Sequence, residues 1–289
     1  RGGKSFYTTS DDNALSEIDS LPGKHVYFLD DHLFGDRKFA AELFEGMRGM
    51  GRLWQGAGTV ESVLRGDLIE QAVDSGLRSL FIGFETLDPA SLKDAGKLHN
   101  LKTDYSAAVK RLRDMGVMIN ASFVFGMDRD GPEVFGRTVD WAIEQGIETA
   151  TFHVLTPYPG TRLFSRMAGQ GRITSLNWNL YDTRHAVFRP EGMTAQQLES
   201  GYRDAYAEFY RWSNILRAVR SKPTLPGRLR HLAYTGAWKK FEPVWNMVIK
   251  SGMLRRATPI LETVLAGFDQ VAPAWLKRPR KHALIDTCP

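Results

Sequence analysis

The sequence predicts an α/β fold: a partial parallel (β/α)6-type barrel missing its first strand, followed by a C-terminal helical region. Three observations predict it. Leu80 to Phe84 is almost entirely apolar, too short for a self-burying helix and the right length for a strand covered on both faces, and it stops at Glu85. Strand-like runs begin near residues 25, 52 and 79, about one βαβ unit apart. Helical patterns alternate strictly with these runs across short loops, which calls for a parallel sheet, open or rolled. Ligands in such sheets sit at the C-terminal strand edge, so the charges that end these strands mark a mouth.

Each element follows in order. Thr8-Thr9-Ser10-Asp11-Asp12 supplies capping hydroxyls and early acids, so a helix is expected from about Asp11 to Leu21, ended by Pro22-Gly23. His25 to Asp30 is the first strand. Gly35-Asp36 breaks the chain, and Phe39, Leu43, Phe44 and Met47 then recur at helical spacing to about Met50. Arg52 to Ala57 is a strand opening into Gly58-Thr59, and Leu68, Ile69, Ala72 and Val73 mark a helix closed by Gly76. After the Ser79–Phe84 strand, Asp88-Pro89 turns the chain and residues 89–95 read as a short extra helix. Asp104 caps a helix with Tyr105, Ala108, Val109 and Leu112 in its stripe, stopped by Gly116. Val117 to Phe125 is the fourth strand, Glu133 to Gln145 a helix, and Thr149 to Leu155 the fifth strand. Because the chain opens on a helix, a first strand is expected upstream of residue 1.

From Thr161 the pattern changes to loop and short-strand material. One long helix is expected from Thr194 to Arg220, with Leu198, Tyr202, Ala205, Phe209 and Trp212 on one face. Ser221 to Gly227 reads as a linker, followed by two or three helices between about Arg228 and Gly267 and a basic, proline-punctuated end. The division is a partial barrel over 1–165, a post-barrel extension with the long helix over 166–220, and a basic helical tail over 221–289.

Hydrophobic residues at 43% and charged residues at 25% exclude global disorder, and no apolar run approaches the ~20 residues of a membrane span. The single cysteine, Cys288, excludes an intramolecular disulfide framework and a cysteine metal cluster, and suits a reducing, cytoplasmic setting. The net charge of +5 is uneven: residues 215–289 carry 14 Lys+Arg against 4 Asp+Glu, leaving 24 basic against 29 acidic residues in 1–214. Trp238, Phe241, Val244, Trp245, Val248 and Ile249, flanked by lysines and arginines, form an apolar stripe. It suits either packing against the barrel or peripheral contact with an anionic membrane. No RNA-binding aromatic signature is present, so no nucleic-acid partner is expected.

The strand ends present Asp30, Asp31, Gln55, Thr59, Glu85, Thr86, Gly126, Asp128, His153 and Tyr158. Carboxylates at such a mouth accept hydrogen bonds from ribose hydroxyls or an ammonium group, and Gly126 lets a ligand approach the backbone. The same acids also serve as helix caps, and His153, inside an apolar strand, suits a core histidine as well as a mouth residue. Neither Gly83-Phe84-Glu85-Thr86 nor Gly126-Met127-Asp128 has the spacing of a phosphate loop, and no zinc spacing, nucleophile elbow or serine triad order is readable.

Taken in order, Phe28-Leu29-Asp30-Asp31-His32-Leu33-Phe34, Ile82-Gly83-Phe84-Glu85-Thr86, Ser122-Phe123-Val124-Phe125-Gly126 and Leu155-Thr156-Pro157-Tyr158-Pro159-Gly160-Thr161 resemble the radical S-adenosylmethionine (radical SAM) superfamily. Within it the chain is most similar to the class with a cobalamin-binding domain ahead of the barrel. Tyr181-Asp182 with His185, Val187-Phe188-Arg189-Pro190 and Met193-Thr194 resemble the segment after the barrel in that class. The resemblance implies S-adenosylmethionine, a 4Fe–4S cluster held by a CxxxCxxC loop, and reductive cleavage to a 5′-deoxyadenosyl radical. It also implies cobalamin through an upstream domain, methyl transfer, a small-molecule or lipid-like substrate, and an electron donor such as flavodoxin or ferredoxin. By the same resemblance Asp30-Asp31 lie near the methionyl amino group, Glu85 closes the ribose motif, Gly126 contacts adenine, and His153 and Tyr158 line the mouth.

The chain departs from that pattern in one respect: it contains no CxxxCxxC. Clusters of this kind need several cysteine thiolates. The chain is therefore expected to be the C-terminal part of a longer radical SAM enzyme, since Gly2 to Thr8 resembles the stretch that follows the cluster loop, and to be inactive alone. The rival readings are a cluster-free β/α-barrel lyase with Asp31 and Glu85 as acid–base pair, and a non-catalytic module that binds a nucleoside or a partner protein.

Overall fold

The computed structural model describes residues 10–94, 104–222 and 224–239. Among them five strands form one sheet in the order β1 (His25–Tyr27), β2 (Leu53–Gly58), β3 (Leu77–Glu85), β4 (Met118–Phe125) and β5 (Thr149–Val154), with every neighbouring pair parallel. The sheet curls into a half-barrel with helices around it, as the β/α alternation predicts. The helices are α1 (Asp11–Ser20), α2 (Arg37–Met47), α3 (Val60–Leu64), α4 (Leu68–Asp74), α5 (Pro89–Asp94), α6 (Tyr105–Asp114), α7 (Glu133–Glu144), α8 (Arg162–Gly169), α9 (Ala195–Phe209), α10 (Trp212–Arg220) and α11 (Leu225–His231).

Strand period two divides the sheet into a dry side and a wet side. Leu80, Ile82 and Phe84 of β3, Ile119, Ala121, Phe123 and Phe125 of β4, and Ala150, Phe152 and Val154 of β5 are buried beneath the helices. Their rings form a ladder, Phe84–Phe123–Phe152–Phe125, with centroids 5.4 to 5.9 Å apart, which Trp141 of α7 and Tyr206 of α9 meet edge-on. Each buried phenylalanine contributes roughly 1.5–3 kcal/mol, so this ladder anchors the strands from their outer side. The intervening residues face the concave side, where polar and small groups alternate with apolar ones: Ser79, Phe81, Gly83 and Glu85, then Met118, Asn120, Ser122 and Val124, then Thr149, Thr151 and His153.

Several elements differ from the sequence expectation. The first strand stops at Tyr27, because beyond Phe28 the chain leaves the ladder to bury Leu33 and Phe34. Two short helices, α3 and α8, occupy stretches to which the sequence pattern assigns no helix. Thr59 caps α3 through a reciprocal pair with Ser62, and Thr161 caps α8. The long helix expected over 194–220 is two helices. Tyr210 leaves helical geometry, at φ −92° and ψ 16°, with its hydroxyl donating to the Ala150 carbonyl at 3.0 Å, and Arg211 is extended. The break turns Trp212 out, so it is exposed rather than in line with Leu198 and Phe209.

The segment read as a linker is anchored. Lys222 is buried against Glu148, and Thr224 caps α11 with Pro226 in its first turn. The chain then runs as a π-helix over Leu232–Lys239, where Thr235 donates to the Glu148 carbonyl at 2.7 Å. The basic stripe and the helices expected beyond Lys239 lie outside the described residues. Among the described residues no helix is long and apolar enough to cross a membrane.

Candidate functional site

The C-terminal ends of β3, β4 and β5 bring Glu85, Gly126 and His153 to one rim. Glu85 sits at a register shift between Gly83 and Glu85 and adopts φ +65°. A side chain in the left-handed region costs about 1–2 kcal/mol, and such strain concentrates at functional positions. The twist lays the carboxylate over Gly83: a Cβ on Gly83 would stand 3.2 Å from Glu85 Oε1. His153 is half-buried on the concave side, with Nδ1 3.2 Å from the Thr183 hydroxyl. Burial pulls its pKa below the usual histidine value, and the Glu85 carboxylate opposes that pull, so the imidazole is neutral near pH 7.

Gly126 adopts φ +97°, and a Cβ there would lie 2.7 Å from Leu198 of α9, so neither the turn nor the packing admits a larger residue. Its amide and that of Met127 both donate to Asp130 Oδ2 at 2.9 Å. Asp130 is 2% exposed and its Oδ1 has no hydrogen-bond partner. Burial pushes this carboxyl up to about 6, against the two amides and Arg137, which favour its ionised form. Asp130 was absent from the sequence reading, which stopped at Asp128. The signal was a carboxylate four residues after a turn glycine, the spacing at which a side chain reaches back to cap that turn.

The other expected residues divide. Tyr158 is exposed, with its ring 6.5 Å from that of Tyr181, which lies 4.9 Å from Trp178. Asp30 and Asp31 are exposed beyond β1 at the edge of the sheet, on the same rim, with β2 between them and Glu85. Asp128 is taken up by Arg172 at 2.8 Å and Arg166 at 3.2 Å, Thr86 accepts the Asp88 amide at 3.2 Å, and Asp88 caps α5 through Ser91. A polar cavity of about 450 Å³ is lined by Asp128, Arg129, Arg166 and Glu191, and none of the six residues expected to bind cofactor lines it. Deeper on the concave side, Asn120 joins strands by donating to Ser79 Oγ at 2.7 Å and accepting from the Thr149 hydroxyl.

This rim suits a nucleoside. It offers a carboxylate that accepts from vicinal hydroxyls and a neutral imidazole. It does not suit an iron–sulfur cluster: among the described residues no group of three or more His, Cys, Asp or Glu could hold a metal ion, and Cys288 is the chain's one cysteine.

No protein-family model matches the chain. Bacteriochlorophyllide d C-12(1)-methyltransferase of Chlorobaculum tepidum is 33% identical over 227 residues, covering 76% of this chain and 49% of that protein. Bacteriochlorophyllide d C-8(2)-methyltransferase of the same organism is 27% identical over 173 residues, covering 60% and 38%. The chain thus spans about half the length, or less, of the curated relatives it matches. Among solved structures, radical S-adenosylmethionine methyltransferase TsrM from Kitasatospora setae aligns with a TM-score of 0.47 at 16% identity, covering 56% of this chain and 32% of that one.

Proposed function

We propose that this chain, which belongs to the radical S-adenosylmethionine superfamily in the class that carries a cobalamin-binding domain, forms the nucleoside-binding wall of a methyltransferase acting on a large, flat, largely apolar substrate. The observation that carries the reading is Glu85, a strained carboxylate at the end of a central parallel strand, turned back over Gly83 and facing His153 across the end of β4. In that position it accepts from the ribose hydroxyls of S-adenosylmethionine, and the left-handed turn at Gly126 passes beside the base. His153, being neutral, adds no repulsion toward the sulfonium. Asp30 and Asp31, on the same rim, are suited to the methionyl ammonium.

Methyl transfer and a tetrapyrrole-like acceptor are drawn from the relatives, which are named for methylating bacteriochlorophyllide d. Cobalamin would supply the methyl group in the whole protein, and a small electron-transfer protein its reducing equivalents. The cluster finds no ligand set among the described residues, so its role is left to the whole protein. The cluster-free lyase reading draws less support. The two bacteriochlorophyllide relatives are named as methyltransferases, and neither is named as a lyase.

Calorimetric titration with S-adenosylhomocysteine tests the proposal. A charged hydrogen-bond pair contributes roughly 1.5–3 kcal/mol, so Glu85→Gln is expected to weaken binding about 10- to 100-fold. Gly126→Val should abolish binding. Undiminished affinity in Glu85→Gln would defeat the reading.

A further inference from the structure

Beside the nucleoside rim stands a ledge of two exposed aromatic side chains, Tyr158 at 45% and Trp178 at 56% exposure, joined through the ring of Tyr181. Single exposed apolar residues are ordinary, but a cluster beside a ligand rim is not. The ledge is fixed from below. Tyr181, between the two exposed rings, is buried, and its hydroxyl donates to the Ser175 carbonyl at 2.8 Å. Asn177 holds the Trp178 turn by accepting the Asn179 amide at 3.2 Å, and the Thr161 hydroxyl holds the Tyr158 carbonyl at 2.6 Å. The loop is tied to the site itself. Thr183, at φ +63°, accepts the Val154 amide at 2.7 Å and meets His153 through its hydroxyl.

From this arrangement we infer that Tyr158 and Trp178, set on either side of the buried Tyr181, form the platform against which the flat conjugated ring of the substrate packs. The inference rests on the nucleoside reading of the neighbouring strand ends, because it places the methyl acceptor next to His153 and hence beside the bound cofactor. Three features point to a conjugated ring rather than an aliphatic chain or a protein face. The exposed groups are chiefly aromatic, and ring faces gain from stacking beyond the area they cover. They are rigid before any ligand arrives, which lowers the ordering cost of binding a rigid partner. Arg184, exposed on the same loop with its amide held by Asp182 at 2.9 Å, offers a cation to a peripheral carboxylate of the ring system.

Titration of the 289-residue chain with chlorophyllide a, followed by its Soret band, tests the inference, with S-adenosylhomocysteine affinity measured in parallel. The parent chain should give a saturable shift. Trp178→Ala and Tyr158→Ala should each weaken it about tenfold, the scale of one lost ring–ring stacking contact, and Trp178→Phe should stay within about threefold. S-adenosylhomocysteine affinity should be unchanged in the two Trp178 variants, and the thermal midpoint in all three. No saturable shift in the parent, or chlorophyllide affinity in both alanine variants equal to the parent's, would overturn the platform. So would a Trp178→Ala effect confined to sedimentation behaviour, which would assign the ledge to a protein contact. Chlorophyllide binding that depends on Trp178 in a chain that fails to bind S-adenosylhomocysteine would support the platform and defeat the nucleoside reading instead.

Discussion

Single residues here carry costs that differ in sign. Glu85→Ala and Glu85→Gly both remove the carboxylate, so both should lose S-adenosylhomocysteine, but only glycine accepts φ +65° without strain. Glu85→Gly is therefore expected to be about 1 kcal/mol more stable than Glu85→Ala by urea denaturation. Asp130 and His231 set an opposed pair of pH slopes. The Asp130 carboxyl is raised to about 6 from 3.8, so its stabilising contribution is complete below about pH 4 and lost as pH rises through 6. His231 is 1% exposed, neither ring nitrogen has a hydrogen-bond partner among the described residues, and burial, helped by Lys222 and Arg230 and opposed by Glu148, lowers it to about 4 from 6.5. Its contribution is present above pH 6.5 and lost as pH falls through 4. Both shifts are worth up to roughly 3 kcal/mol at about 1.4 kcal/mol per pKa unit, and they offset within one window. Relative to the parent, Asp130→Asn should lose stability more steeply with acid between pH 6.5 and 4. His231→Gln should lose it more steeply with base. Urea midpoints taken at half-unit pH steps would show parallel curves if either side chain does not titrate in this way.

At the scale of elements, the Lys222–Glu148 pair fastens the C-terminal end of α10 to the chain entering β5, where Glu148 also accepts the Ile119 amide that opens β4. Lys222→Met leaves a buried carboxylate without its cation and should cost about 3–5 kcal/mol, with part recovered in Lys222→Met/Glu148→Gln, read from denaturant midpoints. Thr194→Ala breaks the reciprocal Thr194–Gln197 cap of α9 and should cost about 1 kcal/mol. The elements legible in the sequence were those that bury a stripe, such as α7 with Val134, Thr138 and Val139, or that end on glycine, such as α6 before Gly116. The break between α9 and α10 was not legible. No proline or glycine marks it, the apolar period continues to Ile215 and Ala218, and the cause is the Tyr210 hydroxyl reaching β5. Helix α8 had a cap at Thr161 and a stop at Gly171, but its one fully buried side chain, Met167, gives a weak stripe.

For the molecule as a whole, reconstitution of the 289-residue chain with iron and sulfide is expected to give no 4Fe–4S absorbance, since no CxxxCxxC is present. A cluster assembling on it would contradict that expectation. The rim itself was legible because parallel strands carry their last residues to one edge, which is how Glu85, Gly126 and His153 meet. The aromatic ledge was not, because Tyr158 and Trp178 are separated in the chain by α8 and come together only through the ring of Tyr181, which no period in the sequence marks. The hydrogen-bonded trio Ser79, Asn120 and Thr149 has a bearing on what can enter. It sets a polar patch into the concave face beside Phe81 and Met118: a hydrocarbon laid over that patch would strip water from hydroxyls and an amide while returning no bond to them. A guest that settles there does best when it carries hydroxyls for the trio and one flat apolar side for Phe81.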